Sequence, residues 1–537
     1  MPILRGSLEP IARKNTSWLI LIAATSLALY IWLAARYSIS SSLSQPRASW
    51  ATLVTPNSQS VALHLGIYLC LTLLYLAAMR LLSSARDEAS EFFRYQIGLI
   101  IFSWLAFSCA LLFVAPAGES HDIFDYLFRG RMMTEYQANP LAEVPDSFGL
   151  SMPFTRYIAW RKSVDTYGPI WEVSSAAIAT GVREVSSRLG WWDETAANCP
   201  ASRESCRLLI LYITGYRLMA VCLVGLSGWL VASITRRYQP ALVPLALAAW
   251  LWNPLTLIAA GVGAHNDIHM IVLALLSWWL LQRQHPFWAL LVLIMAAHVK
   301  LTALIWLPAC GLWITWRNGW QRAIKSILAA AAIGLAMSWL LYTPFGGWQT
   351  LPRMFHERTA YLANSTWQVV KYQLSDWLGW STGTAQQFSV GLSNGLAAVA
   401  ILVIPLWVFN FRPERWRKPP TPDREANTKL WQALTAVSLI YLLVGSFWFQ
   451  HWYILWLLAP AVLLPKSLMT RFILPWLCLG ALCANAVMDF LSVSQLRELP
   501  TVQESMITLA IIWGPMLIVS LLRAVGQRLL RREVVVP

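Results

Sequence analysis

Four short polar clusters interrupt an otherwise apolar chain: His121-Asp122-Ile123-Phe124-Asp125, Gly263-Ala264-His265-Asn266-Asp267, His298-Val299-Lys300 and Phe449-Gln450-His451-Trp452. Asp122 and Asp125 are three residues apart, so on a helix they share a face, with Arg129 four residues further along nearly the same stripe. Two such carboxyls can divide labour, one taking a proton from a hydroxyl while the other orients the substrate or keeps a proton itself. The same spacing also fits helix-start acids paired with Arg129 and Arg131. Asp267 begins an apolar segment, where the helix dipole favours an acid whatever its role. Lys300 lies between two apolar segments, where an ammonium is costly unless it snorkels or meets an anion, and a lipid phosphate is a natural anion there. His451, between Phe449 and Trp452, also fits an interfacial aromatic belt. Arg217 falls inside an apolar segment and either pairs within the bundle or lines a polar cavity.

Other chemistries lack their signatures. His265 and His269 are four apart, but no H-E-x-x-H pattern or cysteine pair accompanies them. No Walker loop, dinucleotide fingerprint or nucleophile elbow stands at a usable place. ATP hydrolysis and redox chemistry are not expected.

The elements that must position these clusters are membrane helices. Of 537 residues, 57% are hydrophobic, only 12% are charged and 31 are tryptophan, whereas a soluble domain carries about 25% charged residues. Disordered, collagen-like and disulfide-framework classes are excluded by the same figures. Helix-length apolar stretches fall at about 17–35, 61–79, 97–115, 207–233, 241–260, 267–282, 286–299, 301–316, 326–343, 389–410, 430–446, 452–465, 472–488 and 506–522. The expected fold is therefore all-α, a polytopic integral membrane protein of about 12–14 transmembrane helices in a single domain over 1–537.

The net charge of +15 is best read by side. With fourteen spans and both termini cytoplasmic, the inner segments hold 24 bases and 8 acids, and the remainder holds 17 bases and 18 acids. This agrees with the positive-inside rule. Merging 286–316 into one helix would put the basic cluster Arg412–Lys429 outside, so two short helices meeting near Lys300 are expected. Nucleic acid is not an expected partner; membrane lipids are. The cell membrane is the expected location.

This topology brings all four polar clusters, and five of the eight histidines (His121, His265, His298, His356 and His451), to the outer side. Two long outer segments, 117–206 and 344–388, join them there, and the first is too aromatic and too long to be a passive connector. It is expected to hold interfacial helices. The stretch 411–429 reads as a Pro-rich cytoplasmic linker. Cys199 and Cys206 lie seven apart in the first outer loop, where an oxidising compartment would let them form a disulfide.

The run His121 to Arg131, then Asn139-Pro140 and Asp165-Thr166-Tyr167-Gly168-Pro169-Ile170-Trp171, resembles the first outer loop of the polyprenol-phosphate-mannose-dependent mannosyltransferases of the GT-C superfamily. Gly263 to Asp267 with Met270, Ala296-Ala297-His298-Val299-Lys300, and Trp452-Tyr453-Ile454-Leu455-Trp456 are similar to later motifs of that group, in family order. The resemblance implies a GT-C fold, an active site on the non-cytoplasmic face, a sugar donor carried on a polyprenyl phosphate, and inversion at the anomeric carbon. It implies Asp122 as general base, with Asp125 the second acid, and no resident metal or cofactor. Donor phosphate and sugar would meet Lys300 first, then Arg129, His298, His265, His121, Asp267 and His451. Tyr167 and Trp171 could stack on sugar faces. The acceptor would be a glycan or glycolipid of the cell envelope, and the sugar a hexose such as mannose.

A lipid or solute transporter or flippase is the alternative. Transporters usually place ionisable groups near the midplane in broken helices related by a repeat. Here most of the charge stops at the outer interface and no repeat is visible. A non-catalytic scaffold, and a ligase moving a larger lipid-linked glycan, complete the rival readings.

Overall fold

The computed structural model describes residues 3–39, 58–83, 91–115, 120–149, 152, 154–192, 203–410, 423–493 and 501–533. Eighteen α-helices follow one another in these residues. The first part of the chain forms α1 (Ile3–Arg36), α2 (Ser58–Ser83), α3 (Glu91–Leu111), α4 (Asp122–Thr134), α5 (Pro169–Arg188) and α6 (Arg203–Tyr238). The middle forms α7 (Val243–Leu251), α8 (Asp267–Gln282), α9 (Pro286–Ala297), α10 (Leu307–Asn318), α11 (Trp320–Tyr342), α12 (Thr350–Thr359) and α13 (Thr366–Leu378). The last part forms α14 (Thr382–Val408), α15 (Asp423–Ile440), α16 (Ile454–Ala461), α17 (Leu474–Val493) and α18 (Thr501–Glu533). Among the described residues β pairing is confined to isolated bridges, Ser38 with Val114 and Ala363 with Trp448.

Nine helical segments among the described residues are long and apolar enough to cross a membrane, or ten if the bent pair Pro240–Leu251 and Thr256–Val262 is one span. The chain is a multi-pass membrane protein. All fourteen apolar stretches lie in helical segments; against the about 12–14 transmembrane helices expected, nine or ten segments among the described residues are long and apolar enough to cross by themselves. The pair 240–262 bends by 59°. The helices α8, α9, α10 and α16 have 16, 12, 12 and 8 residues. At 1.5 Å per residue none reaches the roughly 30 Å of a hydrocarbon core. Each of α8, α9 and α16 has one end at a polar cluster, which removes the apolar turns that a full crossing would need.

Long helices surround these short ones. Every residue of α7 and α16 is buried, whereas only 11% of the apolar window in Trp320–Phe345 and 17% of that in Val502–Val525 is covered by protein. The uncovered helices are the lipid-facing ones. Irregular backbone at membrane depth is tolerated where protein encloses it, because its polar groups then find partners other than lipid. The tryptophan content serves this packing. The Trp250 indole donates to Ser227 Oγ at 2.7 Å, that of Trp306 to Ser438 Oγ at 2.9 Å, and that of Trp313 to the Ala426 carbonyl at 3.0 Å. Each ring fills core volume and pins a neighbouring helix with its one donor.

Arg217 on α6 pairs within the bundle. Its buried guanidinium donates to the carbonyls of Leu112 at 2.8 Å, Val114 at 2.7 Å and Val262 at 2.8 Å. These acceptors sit just past the end of α3 and at the end of the π-helical turn Thr256–Val262, so the cation satisfies carbonyls that a helix end leaves open. One chain end leads to Asp122 and the other to His265.

The break at 298–300 separates α9 from a 3₁₀ turn over Leu301–Trp306, so 286–316 is two helices, as charge had required. Segment 117–206 holds α4 and α5, and segment 344–388 holds α12 and α13. Residues 411–422 of the linker and the Cys199 end of the expected disulfide lie outside the described residues.

Candidate active site

The first polar cluster of the sequence lies on α4. Asp122 opens this helix, its backbone N–H donating to Ser120 Oγ at 3.1 Å, and the helix N-terminus favours the acid electrostatically. Asp125 and Arg129 follow on the same face. All three bind one irregular strap, residues 159–168. Asp122 Oδ1 accepts the Trp160 indole N–H at 3.2 Å. Asp125 accepts the backbone N–H groups of Ala159 at 3.2 Å and Trp160 at 3.1 Å. Arg129 pairs with Asp165 at 3.3 Å and donates to the carbonyls of Ser163 at 3.0 Å and Trp160 at 3.3 Å.

The strap is tied at its other end too. Asp165 Oδ1 accepts the N–H groups of Thr166 and Tyr167 at 2.6 and 3.1 Å, and its own N–H reaches the Pro140 carbonyl at 2.9 Å. Asn139 donates to the Phe345 carbonyl at 2.8 Å, which joins segments 117–206 and 344–388. Gly168 and Ile170 donate to the carbonyls of Val299 and His298, each at 3.1 Å. Gly168 has to be glycine here, because a Cβ would lie 2.0 Å from the His298 carbonyl oxygen.

On the far side of Asp122, the His265 Nδ1 lies 3.6 Å from Oδ2. The π-helical turn at 256–262 and the left-handed backbone of Ala264, at φ +50°, aim this histidine. Such strain in a non-glycine residue persists only where the surroundings hold it. Trp452 stacks flat on the imidazole, with ring centres 3.6 Å apart, and His451 behind it meets Asn485 at 2.6 Å. Asp267, two residues on, is fully enclosed. It binds Lys300 Nζ through both oxygens, at 2.8 and 2.9 Å, and accepts the Trp456 indole N–H. Lys300 lies over Tyr453 at 4.5 Å and Trp456 at 5.2 Å.

Environment separates the two acids of α4. Burial pushes Asp122 up, but the bond and charge of His265, with Ser120 and Trp160, outweigh it and hold Asp122 below the usual carboxylate range. Burial pushes Asp125 up to about 8, with Arg129 pulling the other way and the Asp122 charge adding to the rise. At neutral pH one is a carboxylate and the other an acid, a split that suits a base beside a group that stays neutral. Burial also holds Glu172, behind Asp165, well above the carboxylate range, and the Asp165 charge reinforces it.

These residues enclose a cavity of about 290 Å³ whose lining includes Asp122, Asp125, Arg129, Lys300 and Arg358. Among the described residues no carboxylate lies within ion-pair distance of Arg358, which stands beside Tyr441 and Tyr453. A family model described as alpha-(1->6)-mannopyranosyltransferase, N-terminal domain, matches residues 17–317, more than half of the chain. The chain belongs to this family. A second model, glycosyltransferase family 87, matches residues 206–446. No curated protein matches the chain. The protein is a membrane glycosyltransferase of the GT-C type.

Within the glycosyltransferase, His121, Asp122, Asp125, Arg129, Tyr167 and Lys300 line the cavity. His265, Asp267, His298 and His451 stand behind that lining: His298 bonds Ser338 at 2.8 Å and holds the strap through its carbonyl. Trp171 has no exposed face. It is wedged against Tyr126 and Tyr216, at 4.8 and 6.3 Å, so the sequence-based assignment of sugar stacking to Trp171 is corrected by its packing. Arg358, Trp160, Tyr361 and Trp448 also line the cavity and went unnoticed in the sequence. A lone arginine in a loop with Arg353, His356 and Glu357 reads as ordinary surface. Among the described residues no group of three His, Cys, Asp or Glu side chains could hold a metal ion.

Proposed function

We propose that the enzyme moves a hexosyl group, mannosyl by family, from a polyprenyl phosphate to a glycan or glycolipid acceptor by inverting displacement. Asp122 is the general base. One acceptor hydroxyl attacks the anomeric carbon, its proton passes to Asp122, and the bond from that carbon to the phosphate oxygen breaks. The polyprenyl phosphate leaves with the bond electrons. The observation that carries this reading is the Asp122 carboxylate, kept ionised and aimed into the cavity by His265, Trp160 and Ser120.

The developing phosphate charge needs cations already in place. Lys300 is neutralised by Asp267, and Arg129 by Asp165. Arg358, free of an acid partner among the described residues, is the cation we assign to the donor phosphate, with Lys300 contributing from beside Tyr453. The charge partition along the sequence supports a site on the non-cytoplasmic face with both termini cytoplasmic. Purified enzyme supplied separately with polyprenyl-phosphate mannose, glucose and arabinose, with products read by mass spectrometry, tests the reading. The expected result is transfer from the mannose donor with release of polyprenyl phosphate; no product from any donor would contradict it.

A further inference from the structure

Three aromatic rings from three separate segments meet in the cavity wall. Trp160 comes from the strap, Tyr361 from the second outer loop just after α12, and Trp448 from the turn before α16. Their ring centres lie 5.4 Å apart for Trp160 and Tyr361, 5.0 Å for Trp160 and Trp448, and 5.2 Å for Tyr361 and Trp448. The planes are tilted by 73°, 57° and 56°, so the rings form a cup and do not stack face to face. The backbone braces this cup. Ala363 donates to the Phe447 carbonyl at 3.3 Å and accepts from Phe449 at 2.9 Å, and Tyr361 Oη meets Ser163 Oγ at 3.3 Å.

This is not core packing. Trp160 and Trp448 are half-buried and Tyr361 is exposed, whereas core rings such as Trp171 and Trp456 are closed off completely. The Trp448 indole N–H is buried and among the described residues has no hydrogen-bond partner, so it holds an unspent donor. Trp160 links the cup to the chemistry, because its own N–H is bound to the oxygen Oδ1 of Asp122. Aromatic faces with polar groups at their edges suit a ligand whose ring is apolar on its faces and hydroxylated around its rim, which describes a pyranose. A lipid chain would not use Ser163, Gln450 and Asn485, which share the wall.

We infer that Trp160, Tyr361 and Trp448 form the acceptor subsite, a cup that takes a pyranose of a neutral glycan and sets one of its hydroxyls against Asp122. The inference rests on the transferase reading above and adds the class of acceptor and the residues that select it. Arg358 then serves the donor, and the cup serves the acceptor.

The test uses the full chain in nanodiscs, with polyprenyl-phosphate mannose as donor and α-1,6-mannotriose as acceptor probe. Trp448→Ala and Tyr361→Ala should each raise the acceptor KM about tenfold, a loss of the size expected for one aromatic contact. The donor KM should move by less than twofold. Trp448→Phe, which keeps a flat ring, should recover most of the acceptor affinity, and this separates a binding role from collapse of the turn. Saturation-transfer NMR of mannotriose without donor should show binding to the wild type that Trp448→Ala loses. Transfer by the wild type with an unchanged acceptor KM in both alanine variants would overturn the subsite alone. Absence of wild-type transfer together with absence of mannotriose binding would overturn the transferase reading with it.

Discussion

Asp122 and Asp267 are both buried aspartates at the first residue of a helix, yet their partners differ in kind. Asp267 is sealed: both oxygens bind Lys300, and Trp456 closes the remaining approach. Among the described residues no lysine or arginine pairs with Asp122. Its oxygens meet an indole N–H and an imidazole, and it still lines the cavity. A carboxylate that faces a lysine at 2.8 Å holds two helices together and has little basicity left for a substrate. One held by an indole N–H and by an imidazole 3.6 Å away remains able to accept a proton. Partner type, and not burial or helix position, separates the sealed acid from the one that lines the cavity and that we propose as the base.

Breaking the sealed pair should give the largest effect. Lys300→Met leaves Asp267 charged and unpaired in an enclosed site, which typically costs about 3–5 kcal/mol. Thermal unfolding in detergent should show a marked drop in midpoint, and Asp267→Asn added to Lys300→Met should restore much of it. If the double variant is no better than the single one, Lys300 serves something other than its partner. Next in size is Arg358→Ala, which removes a charged contact to phosphate worth about 1.5–3 kcal/mol. Initial-rate kinetics should show the donor KM raised about tenfold or more, with Arg358→Lys recovering part of it because the charge survives without the planar fork.

The smallest effect is on pH dependence and concerns the acid next to the base. Asp122 must be ionised to act, and its pKa lies below the usual range, so transfer should hold through mildly acidic pH and fail only as Asp122 protonates. On the alkaline side Asp125 loses its proton near about 8, which sets a second negative charge beside the base and the departing phosphate. The rate should therefore decline by about two- to threefold above that pH, as like charges disfavour each other. In Asp125→Asn the alkaline decline should be absent from the pH profile.

Local signals made part of this legible in sequence. All fourteen apolar stretches are helices, and the three-and-four spacing of Asp122, Asp125 and Arg129 places them on one face of α4. Length alone did not reveal that five stretches are too short or too bent for a straight crossing, because the decisive feature is which polar cluster ends them. The partner of Asp267 lies 33 residues away on the far side of α9, and no periodicity encodes that pairing. Trp171, Trp160 and Trp448 are alike as residue types. Only packing separates the one wedged against Tyr126 from the two that line the cavity. Arg217 showed an arginine in an apolar segment, but its three carbonyl acceptors come from two other segments of the chain.

The central claim is that Asp122 takes the acceptor proton. Asp122→Asn keeps the size and one accepting oxygen, which can still take the Trp160 indole N–H, but replaces the other with an amide donor and removes the basic oxygen pair; the variant should retain the wild-type unfolding midpoint to within a few degrees. The direct measurement is the rate of glycosyl transfer by this purified variant from polyprenyl-phosphate mannose at saturating acceptor. The account predicts a fall of about 10²–10⁴-fold, the usual contribution of a general base; transfer at the wild-type rate would contradict it.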